Sequence, residues 1–369
     1  MWLSYLFGFI SYNLLVVLSL LAINYDVKIH KSQRNALCIV CCITYFIIAT
    51  FGCVMTNDFF PYKEIISIIH STKDPFLSVE PFWIKTIRYF NLSHFQYIYL
   101  LQFTSFVEFY LILRQLTPPN IILFISLWTI LLFSSTIGGR SILFYMTFIL
   151  GFTVFANRNY IIGTLLLFGS FFLHKTAYIA VPLFILSLFS LNKNSLIKLL
   201  ACAILFSAIL RATIFNNLDI IYESIAGVGI PGAIYITHED NANATGMYLW
   251  RILPIISYWI VSIFAMYTLY KTVTCLRGND YKLKKFYYLA FWSMTISISL
   301  RVLNLPDPAI SSRVMTLSTF PVIYLYSIHR EYCKSTHLER ILIFIILLVY
   351  FISNDINILR VMNINNVFA

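Results

Sequence analysis

Seven side chains are set in a pattern that suits a phosphorylated substrate: Asp58, Tyr62, Glu80, Arg140, His174, Arg301 and Arg313. A guanidinium is planar, stays charged and donates two parallel hydrogen bonds to phosphate oxygens. Several arginines at one mouth of a protein would therefore hold a diphosphate. Asp58, Glu80 or His174 would accept a proton from a sugar hydroxyl beside it, and Tyr62 would position the sugar. Arg140 follows SSTIGG (134–139), small residues that let backbone approach a ligand closely, and Arg301 and Arg313 bracket NLPDPAISS (304–312). Each residue also has a plainer reading. The arginines, with Arg211 and Arg251, would snorkel to lipid headgroups. His174 would be a satisfied turn histidine, Asp58 a solvated loop acid, and Glu80 the start of a helix that Pro81 favours. Glu108, inside an apolar run, either pairs internally or is functional.

These groups need elements to carry them, and composition says what kind. The chain has 369 residues, 60% hydrophobic and 11% charged, with a mean hydropathy of +0.81. A soluble domain cannot hide that much apolar surface behind a charged exterior. In lipid, backbone groups must be satisfied within each segment, so long apolar runs are read as helices rather than as the short alternating strands of a barrel. The expected fold is all-α: a polytopic helical membrane bundle of about eleven to twelve spans in a single domain over 1–369. Spans are expected near 3–23, 35–55, 94–114, 119–137, 141–156, 160–173, 175–190, 195–214, 249–271, 286–303, 313–329 and 341–355. The first reads as a retained span rather than a cleaved signal, for want of a basic start or a small-residue cleavage site. The 160–190 stretch is too long for one crossing and short for two, and predicts a tight hairpin of short helices turning at His174-Lys175.

Alternate loops then divide the charge. One side collects fifteen cations and four acids, in 24–34, 114, 158, 193–198, 271–285 and 330–340; the other collects eleven and ten. The positive-inside rule makes the first side cytoplasmic and both termini external. The net charge of +11 is thereby a topological signal and does not argue for nucleic acid. The long loops 56–93 and 215–248 face outward with all seven site residues, and 81–90 is expected to form an amphipathic interfacial helix. Cys38, Cys41 and Cys42 read as small apolar helix residues, and His238-Glu239-Asp240 as neighbours unable to converge on one ion. There is no Walker A loop, DxD, GxSxG or HExxH, so no nucleotide, metal or other cofactor is expected.

In order along the chain stand NDFFPY (57–62), VEPFWIKTIRYF (79–90), GRSILFYMTFILGFTVFANRNY (139–160), SFFLHKTAYIAVPLFIL (170–186) and RVMTLSTFPVIYLYS (313–327). The ordered set resembles the EpsG-like branch of the Wzy-type polysaccharide polymerases, which include O-antigen polymerases. The resemblance implies a glycosyltransferase at the outer, periplasmic or extracellular face of the bacterial cytoplasmic membrane. It would move a growing surface glycan from undecaprenyl diphosphate onto a lipid-linked repeat unit. Arg140 and Arg313, and more weakly Arg301, would bind diphosphate; Asp58, Glu80 and His174 would be base or sugar-positioning candidates, with no metal. Implied partners are undecaprenyl-diphosphate-linked oligosaccharides, membrane lipids, a chain-length regulator and other assembly proteins. The competing readings are a lipid-linked oligosaccharide flippase or other transporter, and a membrane O-acyltransferase that modifies a glycan.

Overall fold

The computed structural model describes residues 2–23, 29–53, 59–72, 80–133, 140–189, 193–214, 248–275, 280–303, 309–332 and 336–364. Among these, the regular structure is helical throughout. In chain order the helices are α1 (Trp2–Ile23), α2 (Lys31–Phe51), α3 (Phe59–Ser71), α4 (Pro81–Tyr89), α5 (His94–Leu116), α6 (Ile121–Trp128), α7 (Arg140–Ala156), α8 (Tyr160–Gly169), α9 (Ala177–Leu188), α10 (Lys193–Ile214), α11 (Tyr248–Cys275), α12 (Tyr281–Leu303), α13 (Ala309–Tyr332) and α14 (His337–Ile364). All twelve expected spans fall on helices. Among the described residues, four stretches are long and apolar enough to cross a membrane by length and composition: Leu6–Ile23, Gln33–Phe51, Tyr281–Leu303 and His337–Leu359. Helix α12 begins at Tyr281 and α14 at His337, ahead of the expected span starts at 286 and 341, because helical hydrogen bonding does not stop at a charged residue.

The outer helices are apolar on both faces. On α1, Tyr12, Val16 and Leu20 point inward at i, i+4 and i+8, while Phe7, Ile10, Leu14, Val17 and Leu21 stay exposed. Exposed apolar stripes of this length suit a lipid environment. The centre holds α7 and α13, both largely buried. An aromatic cluster of Tyr45, Phe106, Phe109, Trp128 and Phe133 ties α2, α5 and α6 together, with Phe109 stacked on Trp128 at 4.1 Å between centroids. The α7–α8 pair packs backbone to backbone. A Cβ on Gly163 would stand 2.6 Å from the Phe155 nitrogen, and one on Gly151 2.9 Å from Leu166 Cβ. Only glycine permits that approach.

Three features depart from the linear reading. The hairpin at His174-Lys175 is present as a turn, through a 3-10 segment Ser170–Phe172, but its legs diverge: α8 lies along α7, and α9 lies against α12. The 56–93 loop contains α3, unanticipated, whose inward residues Tyr62, Ile66 and Ile69 follow helical spacing. And α6 ends in a π turn, Thr129–Phe133. Such a turn leaves carbonyls short of their usual partners; the Leu131 carbonyl accepts instead from the Tyr350 hydroxyl at 3.1 Å.

One end of the bundle gathers residues near 116, 158, 188 and 282. At this end Lys282 Nζ donates to the carbonyls of Gln115 and Leu116 at 2.9 and 3.3 Å, and Lys285 Nζ to that of Leu188 at 2.8 Å. Arg158 lies over the Tyr281 ring there. The 17 residues of α7, about 25 Å of helix, lead from Arg158's end to Arg140's.

Candidate active site

At the Arg140 end, five of the seven sequence candidates meet. Pro81 opens α4 and makes Glu80 its N-cap by position, with its carbonyl accepting from the Trp83 and Ile84 nitrogens at 3.0 and 3.4 Å. The Glu80 side chain does not cap the helix. It turns inward, where Oε2 pairs with Arg140 Nη1 and Oε1 accepts from the Lys175 backbone N–H at 3.2 Å. Glu80 is 7% exposed, so this carboxylate is tied on both oxygens away from bulk water.

Arg140 begins α7. Its backbone N–H, one of the unpaired donors at a helix start, donates to the Tyr62 hydroxyl at 3.0 Å, and its Nε to the same oxygen at 3.3 Å. Its guanidinium lies over the Tyr62 ring, 5.5 Å from the centroid. Tyr62 is held edge-on by Tyr97, and Tyr97 by Trp83. Trp83 Nε1 donates to the Leu173 carbonyl at 2.8 Å, which fixes α4 over the turn that carries His174.

His174 is buried in that turn, outside the helical spans. Its Nδ1 accepts from the Thr176 backbone N–H at 3.1 Å and lies 2.8 Å from the Thr176 hydroxyl. Burial, with the Arg313, Arg140 and Lys175 charges nearby, draws its pKa down to about 3. The ring is therefore neutral, and because Nδ1 accepts, its proton sits on Nε2. Arg313, in the second turn of α13, faces His174 closely enough to act on it electrostatically. The Tyr145 hydroxyl donates to the Arg313 carbonyl at 3.2 Å. The starts of α7, α9 and α13 thus converge, and helix N-termini favour anions.

Arg301 belongs to another neighbourhood, stacked on the Tyr258 ring at 5.1 Å. Asp58, the 134–139 and 304–308 segments, residues 238–240 and the Arg211 and Arg251 side chains lie outside the described residues. Glu108 accepts from the Thr147 hydroxyl at 2.9 and 3.1 Å to its two oxygens. The three cysteines Cys38, Cys41 and Cys42 are free thiols along α2. Sequence reasoning missed Tyr145, Trp83 and Thr176. Trp83 and Thr176 flank named candidates by three and two residues, a signal that was available; Tyr145 sits in an apolar run that gives no hint of its partner.

The EpsG family model matches residues 3–367. No curated protein and no solved structure matches the chain. The chain belongs to the EpsG family, and it is a polysaccharide-polymerase-like protein of the membrane.

Proposed function

We propose that this EpsG-family protein extends a surface polysaccharide at the outer face of the bacterial cytoplasmic membrane, moving the growing glycan from undecaprenyl diphosphate to a lipid-linked repeat unit. The observation that carries this reading is the convergence of Arg140 and Arg313, each at the beginning of a helix, on His174. Against these cations stands Glu80, so the cluster favours an anion, and a diphosphate on a lipid tail fits a cationic mouth in a bundle of apolar helices.

In this mechanism the acceptor hydroxyl oxygen forms a bond to the donor's anomeric carbon. The bond from that carbon to the phosphate oxygen breaks, and the electron pair leaves with the lipid diphosphate. Arg140 and Arg313 stabilise the charge that develops there, and the His174 Nε2–H donates to the same oxygens. Glu80, held through both oxygens, orients Arg140. Tyr62 presents its ring edge and hydroxyl to the sugar. The acceptor's proton passes to a carboxylate, for which Asp58 is the candidate, since Glu80 is engaged by Arg140 and the Lys175 N–H. Arg301 serves the substrate outside this cluster.

Deletion of the gene tests the reading directly. Single repeat units on the lipid-linked acceptor, with no ladder on a gel, support it. Complete loss of surface glycan supports a flippase, and full-length but unmodified chains an acyltransferase; either result overturns it. Asp58→Asn tests the base: loss of extension with the protein still in the membrane supports the assignment, and normal extension removes it.

A further inference from the structure

A second feature lies beside Arg313. A cavity of about 270 Å³ opens between the π turn, α11, α13 and α14. It is just smaller than the roughly 300–1,000 Å³ pockets that take drug-sized ligands. Its polar lining includes Ser257, Tyr258, Thr316, Tyr350, Asn354 and Asn357, and its apolar lining comes from leucine, valine and methionine. No Asp, Glu, Lys or Arg is among the described lining residues; Arg301 is stacked on Tyr258 and does not line the space.

The walls are braced from behind. The Tyr258 hydroxyl and Ser297 are 2.8 Å apart, and Ser297 donates to the Ser311 carbonyl at 2.6 Å. Ser257 pairs with Ser353 at 2.7 Å, and Asn354 Nδ2 donates to the Tyr12 hydroxyl at 3.2 Å. Tyr350 is fixed on the Leu131 carbonyl. Asn357, half-buried, makes no side-chain hydrogen bond among the described residues. Tyr145 connects the cavity to the cationic cluster: its hydroxyl donates to the Arg313 carbonyl and lies in reach of the Thr316 side chain.

A hydrocarbon tail would bury the Asn357 amide with no partner, at a cost of about 1–3 kcal/mol, and would make no use of the other polar groups. An anion would find no cation among the described lining residues. A sugar ring carries both an apolar C–H face and a rim of hydroxyls, which matches tyrosine rings set among serine, threonine and asparagine. We propose that this cavity is a subsite for one uncharged sugar residue of the lipid-linked glycan, held one helical turn from Arg313. This rests on the polymerase reading and adds to it the position and charge class of a sugar.

The test uses the full chain purified in detergent and two probes, neutral methyl glycosides and inorganic pyrophosphate, followed by saturation-transfer NMR and by competition. Wild type is expected to bind a neutral glycoside and pyrophosphate independently, and to reject methyl uronides. Asn357→Leu and Ser257→Leu should weaken the glycoside roughly tenfold, the effect of one hydrogen bond to a buried group, with pyrophosphate unchanged. Arg140→Ala should do the reverse. Thr316→Trp, which fills the space, should abolish glycoside binding; Asn357→Leu keeps the test intact if the tryptophan variant does not fold. The proposal is overturned if no neutral glycoside binds, if the cavity variants bind it as wild type does, or if only detergent alkyl chains occupy the cavity. A wild type that binds the glycoside but not pyrophosphate would sink the diphosphate assignment and leave the cavity standing.

Discussion

The two ends of this bundle use the same kinds of residue to opposite effect. At the Lys282 end, cations sit on the last carbonyls of helices: Lys282 on Gln115 and Leu116, Lys285 on Leu188. That is the favourable sense of the helix dipole, worth typically 0.3–1 kcal/mol. Each of these charges is accounted for by the fold. At the other end, Arg140 opens α7 and Arg313 stands in the second turn of α13, toward the helix N-termini, where the dipole disfavours a cation. Glu80 answers Arg140, and the buried His174 answers neither, being neutral. On the proposed reading, these cations toward helix N-termini hold the substrate's diphosphate.

The sharpest way to break this contrast is at the arginines. Arg140→Ala and Arg313→Ala should each stop chain extension, a loss of about a hundredfold or more as for other electrostatic contacts to developing charge, with the protein still in the membrane. Normal ladders on gels from both variants would end the diphosphate assignment. Arg140→Lys should restore extension in part, since a point charge replaces a fork. Arg140→Ala also strands the Glu80 carboxylate, so Arg140→Ala with Glu80→Gln separates stability from chemistry: the pair should regain thermal stability and stay inactive.

The helix that joins the two ends gives the next test. Gly163→Leu should lower stability by about 1–3 kcal/mol through overpacking against Phe155, read as a lower midpoint in detergent by fluorescence-detected size exclusion. An unchanged midpoint would mean that α7 and α8 do not touch as described. A pH-dependent effect follows from His174. Its folded pKa of about 3 lies below the ordinary value of about 6.5, so between those values the unfolded chain binds the extra proton. Stability is complete above about pH 6.5 and declines as pH falls toward 3. His174→Gln should flatten that part of the pH–stability curve, and a curve identical to wild type would refute the neutral ring. Smallest of all, Lys282→Ala should cost only about 0.3–1 kcal/mol and leave the polysaccharide ladder unaltered; a lost ladder would erase the distinction between the ends.

How much of this could be read from the chain depends on the length scale. Hydropathy located the spans, because a run such as ILIFIILLVYF (341–351) has no other use, and the cation count sorted the loops that gather around Lys282. The likeness to a family, carried by short ordered motifs, picked out Tyr62, Glu80, Arg140, His174 and Arg313, which meet. Arg301 shows the limit. It stands twelve residues before Arg313, yet which ring it stacks on is decided by the rotation of α12 against α11, and an apolar sequence of low amphipathicity does not declare rotation. Tyr145 was hidden for the same reason. The π turn was illegible too, since TILLF (129–133) has no breaker residue and only packing makes the Tyr350 bond available. The diverging legs at His174 were missed because helix length says nothing of which neighbour each leg will choose.

The glycine contact between α7 and α8 has a mechanical consequence. With bare backbone seated on bare backbone at Gly151 and Gly163, α7 is keyed like a tongue in a slot, and sliding it along its axis would drive Phe155 or Leu166 into peptide atoms. Arg140 therefore rides on a strut of set length, anchored from below. On the polymerase reading, accommodation of successive substrates falls to side-chain swing, while the strut holds the guanidinium at one height.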